Sequence, residues 1–411
     1  MPDLWIFDPP SNDLAPITDL RAAFELRTGA RTTSERWSAW WGGKVAGLFA
    51  HNDLASLLRE RWECPVNDPA ALRSASEVVL ANARCLIPPA ERDNLEAGTA
   101  LVDPDSGQLI MARISGEVAA AIIESGGVAK GVREIPATEP CILHHPWDII
   151  RHRNTALAHD LGAMLHKSRS EPIPTHAHII GNHRVILAED ARVMPGVILD
   201  ATDGPIVIDK AATIRPRATI CGPAYIGERS TILDGAVIRQ NTSIGHACKV
   251  NGEVSGVILQ SFSNKAHDGF LGDSYLGEWV NLGAGTITSN LLNTYSDINA
   301  RAMPDAQRKA TGLTFLGAII GDHTKTAIGT LITTGSILGT GSMIARTTPP
   351  PVTTGRFAWI TDAGERTYRF DKFVEVARSA MSRRSVTPSD AYIDRLRALH
   401  ALAPDRNGAS A

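Results

Sequence analysis

The 411-residue chain is short of cysteine, of aromatic residues and of net charge, and each shortage argues against a class of protein. Its five cysteines, Cys64, Cys85, Cys141, Cys221 and Cys248, are odd in number and nowhere spaced Cys-x-x-Cys. That argues against a disulfide framework or a cysteine-based zinc module and predicts a reducing compartment. A formal charge of -3 provides no basic field for nucleic acid. No run approaches the roughly 20 apolar residues that a membrane-spanning helix needs. The opening "MPDLWIFDPP" has neither a basic leader nor an apolar core, so a cytoplasmic protein is expected. Aromatics make up only 5% while glycines number 35, a balance suited to thin, tightly turned layers.

What the chain does have is a period of six. Ile208, Ile214, Ile220, Ile226, Ile232, Ile238, Ile244 and Val250 follow one another without a miss. Chance would produce eight such hits about once in 10⁵. A second series runs Ile320, Thr326, Ile332, Leu338, Ile344, and a short lead-in runs Leu187, Val193, Leu199. Six matches neither the helical period nor the strand period; it is one side of a triangular coil, a short strand and then a corner. One aliphatic side chain per side points inward and stacks on its equivalent in the next coil, about 4.8 Å away. Corners such as "IGERST", "IGHACK" and "IGDHTK" supply glycine and polar atoms. After Ile344 the prolines of "ARTTPPPVTTG" are expected to end the series. Two tail helices are then expected, the second with Thr387 as N-cap and Pro388 at its first position. The tail reads as a packing or trimer-stabilising element without chemistry of its own.

Between Val250 and Ile320 the strict register fails, in "SNKAHDGFLGDSYLGEWVNLGAGTITSN". Irregular segments on a regular scaffold are where function concentrates. Here His267 stands among Asn264, Lys265, Asp268, Asn281 and Asn290, and "NLGAGTIT" is expected to offer backbone N–H groups to a carbonyl or amide chain. An imidazole is the natural base near neutral pH. From the residues alone, a hydrogen-bonded loop histidine and a catalytic base both remain open, and His246 and His323 read as the former.

The same stretch resembles the acetyltransferase half of the GlmU-like family, the bifunctional bacterial enzymes that acetylate glucosamine-1-phosphate and couple it to UTP. That family reads K-A-G-H-x-x-Y-L-G-D and then V-N-I-G-A-G-T-I-T-x-N. The resemblance implies His267 as catalytic base, Asn290 as a catalytic-loop residue, and Lys265, Phe270 and Asn281 as substrate contacts. It implies Ala284 as a contact of acetyl-CoA and Arg239 as the sugar-phosphate arginine. Phe270 replaces a tyrosine, Lys265 lies one residue nearer the histidine, and no lysine follows "TITSNLLN"; these departures fall on the acceptor side.

The first ~170 residues lack the six-step series. "DLWIF" and "SASEVVLANARCLI" read as strands, and "TTSERWSAWW" and "EVAAAIIESGG" as helices, which suggests an α/β layer. "PWDIIRHRNTALAHDLGAMLHKS" reads as a helical connector. The usual nucleotidyltransferase motif L-x-x-G-x-G-T-R-M is absent. Instead "PITDLRAAFELRTGARTTSERW" resembles a less characterised branch of the same two-part family. That implies Arg21, Arg27, Gly29 and Arg36 as nucleotide-binding residues, and magnesium, with ligands not assignable from the sequence, to offset the polyphosphate charge. On an ordinary helix the same arginines would be a solvated face.

The expectation is thus an α/β nucleotidyltransferase-like domain (1–170), a left-handed parallel β-helix of hexapeptide repeats (171–350) and a helical tail (351–411). It would be a trimer, with sites shared between neighbouring copies. It would acetylate an amino-sugar phosphate and join the product to a nucleoside triphosphate, giving UDP-N-acetylglucosamine. The rival readings are a nucleotidyltransferase whose coil only trimerises, a metal hydratase on a β-helix, and a scaffold without chemistry. The hydratase needs three convergent histidines, and His267 has no near partner in sequence.

Overall fold

The computed structural model describes residues 2–11, 13–128, 131–167 and 170–404. Ser168, at the end of the expected connector, and the end of the tail lie outside them. The chain forms two compact units. The first takes in residues 1–14, 20–26 and 31–144, the second residues 15–19, 27–30 and 145–411.

The first unit is built on six strands: β1 (Asp3–Phe7), β2 (Gly47–Phe49), β3 (Val78–Asn82), β4 (Thr99–Val102), β5 (Leu109–Ile114) and β6 (Arg133–Pro136). Their order is β2-β1-β3-β5-β4-β6, with β1 parallel to both β2 and β3, and β5 antiparallel to its neighbours. The expected helices form at Thr33–Trp41 and Gly116–Glu124. The first opens with a capping box, in which Thr32 Oγ1 accepts from the Glu35 amide and the Glu35 carboxylate accepts from the Thr32 amide. The second ends where Gly126 and Gly127 turn to positive φ. Its buried face packs Ala119, Ala120 and Ile122 onto Trp5, Leu80 and Ala112 of the sheet.

The second unit is a left-handed parallel β-helix of about 10 turns over residues 178–361, followed by a short helical region. Each step of six advances one face. Ile208, Ile226 and Ile244 stack on one face, Ile214, Ile232 and Val250 on the next, and Ile220 and Ile238 on the third. Every one of these side chains is fully buried. Crossovers between parallel strands are normally right-handed; this coil has the opposite hand, and several of its corner residues occupy the left-handed backbone region. Arg229, Ala247, Phe262, Trp279 and His323 form one such column. For non-glycine residues that conformation costs on the order of 1–2 kcal/mol each, so stacking must offset it.

Two expectations are corrected. The segment after Val250 does not break the coil. Val250 pairs with Lys265, Ile244 with Leu259 and Val254 with Leu271, so the turns merely shorten and lengthen. A strict period cannot follow such changes, although the packing does. The excursion proper leaves after Leu291 and returns at Phe315, and it carries a small antiparallel pair, Asn299–Ala300 with Lys309–Ala310. The prolines after Ile344 do not end the coil either. Ile337 bridges Thr353 and Ile344 pairs with Ile360, because the prolines occupy a corner that needs no ladder hydrogen bond.

The tail helices span Phe370–Ser382 and Asp390–Ala401. Ser389, not Thr387, caps the second, its hydroxyl accepting from the Tyr392 amide at 3.2 Å. The N-terminal piece 15–19 is tied into this unit by a buried ion pair. Arg356 reaches Asp19 with two contacts of 2.8 and 2.6 Å, and Thr340 Oγ1 donates to the same carboxylate at 2.7 Å.

Candidate functional site

Along one face of the coil the outward positions of successive turns are Lys249, Asn264, Asn281 and Lys325, held in register by strand pairing and isolated bridges. They stand about 4.8 Å apart per turn. Opposite them the helix Phe370–Ser382 presents Val376, Ser379 and Ala380 at helical spacing, with Arg383 and Arg384 just beyond it. Between the two walls lies a cleft of about 660 Å³, within the range of small-molecule sites. Arg384 Nη2 spans it to Asn264 Oδ1 at 2.8 Å. The tail, expected to be mere packing, therefore forms a wall of the cleft.

His267, Asn281 and Ala284 line this cleft together. His267 sits on the corner that follows the Asn264–Lys265 strand, with its side chain exposed. The corner is fixed from beneath. Lys265 occupies an inward position between Val250 and the next coil, 1% exposed, and its Nζ donates to the carbonyls of Asn251 and His267. Burial pulls the Lys265 ammonium down to about 8, with Asp268 opposing the shift. Lys265 is thus under the wall, gripping the histidine's backbone, rather than on its surface. Gly269 completes the corner at φ +115, where a Cβ would lie 2.2 Å from the Thr286 carbonyl oxygen.

The cleft's charge is one-sided. Lys249, Lys325, Arg383 and Arg384 line it, and none of its lining residues is Asp or Glu. Burial lowers Lys325 to about 8. Phe262 and Trp279 also line it, stacked with centroids 4.4 Å apart and planes 4° from parallel. Motif reading missed these six residues. The lysines look like ordinary outward positions on short strands, and the arginines lie more than a hundred residues downstream.

The expectation of free amides in "NLGAGTIT" is corrected. Asn281 N donates to Thr324 O, Leu282 N to Asn264 O, Gly283 N to Thr326 Oγ1 and Gly285 N to Asp268 O. These donors hold neighbouring coils together; the Ala284 amide is outside that set.

The remaining expected residues lie across the corner, on or beside the adjacent face. Arg239 pairs with Glu253 at 3.1 Å, and Phe270 stands beside Glu253 in the strand register. Asn290 Nδ2 donates to Asp273 at 2.7 Å, and Arg153 holds the other carboxylate oxygen of Asp273 at 2.8 Å. His267, Asn281 and Ala284 are brought together; Arg239, Phe270 and Asn290 are outside their cleft.

The four expected nucleotide-binding residues are committed to protein contacts. In the second unit Arg27 donates to the Ala30 carbonyl and lies over the Tyr225 ring at 5.7 Å. Gly29 is required by a helix, since a Cβ there would meet the Ala156 carbonyl oxygen at 2.7 Å. In the first unit Arg36, 1% exposed, donates to the carbonyls of Leu86 and Arg31, and Arg21 is buried.

In that first unit the strand order turns back at β1, with β2 on one side and β3 on the other. Open sheets bind ligands outside the carboxyl ends of strands at such a point. Asp8 follows β1 there, and Asn82, Ala83 and Arg84 stand at the end of β3. Residues 4–170 match the family model described as sugar nucleotidyl transferase. The chain's first unit is therefore similar to sugar nucleotidyl transferases. The chain is 26% identical over 183 residues to the bifunctional protein GlmU of Heliobacterium modesticaldum, covering 40% of this chain and 36% of that protein. To the bifunctional protein GlmU of Methylococcus capsulatus it is 28% identical over 173 residues, covering 42% and 34%. The chain thus matches about a third of the length of these relatives. A solved UDP-N-acetylglucosamine acyltransferase is 12% identical, with a TM-score of 0.26, over 54% of this chain and 83% of that one. The family match and the two GlmU relatives support a divergent GlmU-like family.

Nucleotidyl transfer calls for a divalent cation against the polyphosphate charge, and magnesium takes an octahedron of oxygens at about 2.0–2.1 Å. The side chains at the carboxyl ends of β1 and β3 do not fit one. Arg84 Nε lies 3.4 Å from Asp8 Oδ1, and the other Asp8 oxygen accepts from the Ala23 amide at 2.8 Å. Asp103, just past β4, accepts from the Ser106 amide at 3.2 Å and faces His144 at 3.5 Å. Among the described residues no three His, Cys, Asp or Glu side chains converge to hold a metal ion. No helix among them is long and apolar enough to cross a membrane.

Proposed function

We propose that the cleft of the second unit transfers an acetyl group from acetyl-CoA to the amine of an amino-sugar phosphate, glucosamine-1-phosphate. The observation that carries this reading is an exposed imidazole in a cleft lined by four cationic side chains and no carboxylate. Such a lining selects a ligand bearing several phosphates. The acceptor amine attacks the thioester carbonyl, its proton passes to His267, and the CoA thiolate leaves. Lys265 acts by holding the His267 backbone, while Asn281 and Ala284 contact substrate and donor.

Arg239, as phosphate ligand, Phe270 and Asn290 act from the adjacent face. A homotrimer, in which that face meets a neighbouring copy, would supply them to a shared site. For the first unit we propose nucleotidyl transfer from a nucleoside triphosphate, UTP, to a sugar 1-phosphate, with release of pyrophosphate. The sugar nucleotidyl transferase match over residues 4–170 supports it. The two activities together would serve sugar-nucleotide synthesis.

The test is His267→Ala, assayed by CoA release from acetyl-CoA and glucosamine-1-phosphate. Loss of a positioned base should lower turnover by about 10² to 10⁴, with CoA affinity unchanged. Full turnover in the variant would leave the coil as a trimerising scaffold and sink the mechanism.

A further inference from the structure

At the carboxyl ends of β1 and β3 stands a fixed positive charge in place of metal ligands. Arg84 is 4% exposed. Its Nε faces Asp8 Oδ1 at 3.4 Å, and its Nη2 donates to Pro9 O at 3.2 Å, Ser11 O at 3.3 Å and Ser11 Oγ at 2.6 Å. None of these contacts uses Nη1. The guanidinium is therefore locked in position on one side by the loop that leaves β1. Asn82 closes the base, its Oδ1 accepting from the Arg84 amide at 2.9 Å and its Nδ2 donating to Leu109 O at 2.6 Å.

A further positive group lies nearby. Buried Arg21 lies on the same short segment as Ala23, whose amide binds Asp8. A divalent cation entering here would face a guanidinium already paired with the carboxylate it needs. A phosphate meets the opposite situation, a rigid cation at the point of an open sheet where ligands bind.

We propose that Arg84 takes the place of a protein-held divalent cation in the first unit, docking the phosphate of a nucleotide through Nη1. This deepens the nucleotidyl reading and is independent of the acyl-transfer cleft. Its consequence is that the 411-residue chain binds a nucleoside diphosphate without metal. The probe is UDP, titrated calorimetrically in magnesium and in EDTA, with manganese binding to the chain alone followed by electron paramagnetic resonance. Affinities within about threefold of each other are expected, with no tightly held manganese.

Because Arg84→Gln alone would leave Asp8 buried and unpaired, the variant is the double change Arg84→Gln with Asp8→Asn, its fold checked by circular dichroism. It should lose about tenfold or more in UDP affinity, as removal of a charge-assisted hydrogen bond predicts. Loss of UDP binding in EDTA, stoichiometric manganese on the free chain, or an unchanged double variant would each overturn the proposal. So would failure of the wild type to bind UDP in either buffer. UTP turnover measured alongside separates this outcome from failure of the nucleotidyl reading itself.

Discussion

Lys325 shows how one residue's surroundings become a functional property. Lys325 lines the cleft, its Nζ 3.4 Å from the His323 carbonyl oxygen, and desolvation without a facing carboxylate brings its pKa to about 8. The ammonium form therefore predominates below that value and is lost as the pH rises through it. An anion bound beside it loses a charge partner over the same interval. CoA affinity, measured from pH 7 to pH 9, should fall by about tenfold. Lys325→Arg should abolish that fall, since a guanidinium stays charged throughout. A wild-type profile flat across that range would remove Lys325 from the donor site. Lys265 reaches a similar value inside the coil, yet its Nζ is spent on the carbonyls of Asn251 and His267. Same residue type, same shift, different work.

At the scale of elements, the helix Phe370–Ser382 carries a face that its sequence leaves ambiguous. Phe373, Ala377 and Met381 are buried, while Val376, Ser379 and Ala380 line the cleft. Arg383 and Arg384 stand at the end of that second set. The variant Arg383→Ala with Arg384→Ala should weaken CoA binding by about tenfold or more. Its thermal midpoint should fall only slightly, because Arg383 is exposed and the half-buried Arg384 gives up a hydrogen bond to Asn264 worth about 1 kcal/mol. A variant that binds CoA normally would reduce the helix to a lid of packing alone. The strands were legible down to which side chain points inward, since Ile208 through Val250 each occupy the buried position their spacing implies. The wall opposite them was not. An amphipathic helix announces that it has a partner, but not which face of a distant coil it will meet.

At the scale of the whole molecule, the triangular coil leaves Ile287 and Leu331, paired in register, 42% and 47% exposed. Uncovered aliphatics on a flat sheet face favour self-association. Light scattering of the purified protein should give the mass of three 44.0 kDa chains. A monomer would leave Arg239, Phe270 and Asn290 without a neighbouring copy's cleft to complete and would refute the shared-site reading.

The hexad series by itself determined the coil, because each inward position is a local choice that repeats with a fixed step. The stretch around His267 also marked where chemistry would gather. Tertiary structure alone decided that turns of unequal length continue the coil past Val250 and past the prolines after Ile344. It alone brought Arg384 to Asn264, Asp19 to Arg356 and Arg84 to Asp8. Such contacts join residues dozens to hundreds of positions apart through single polar groups, and a lone polar residue has no period by which a sequence could announce it.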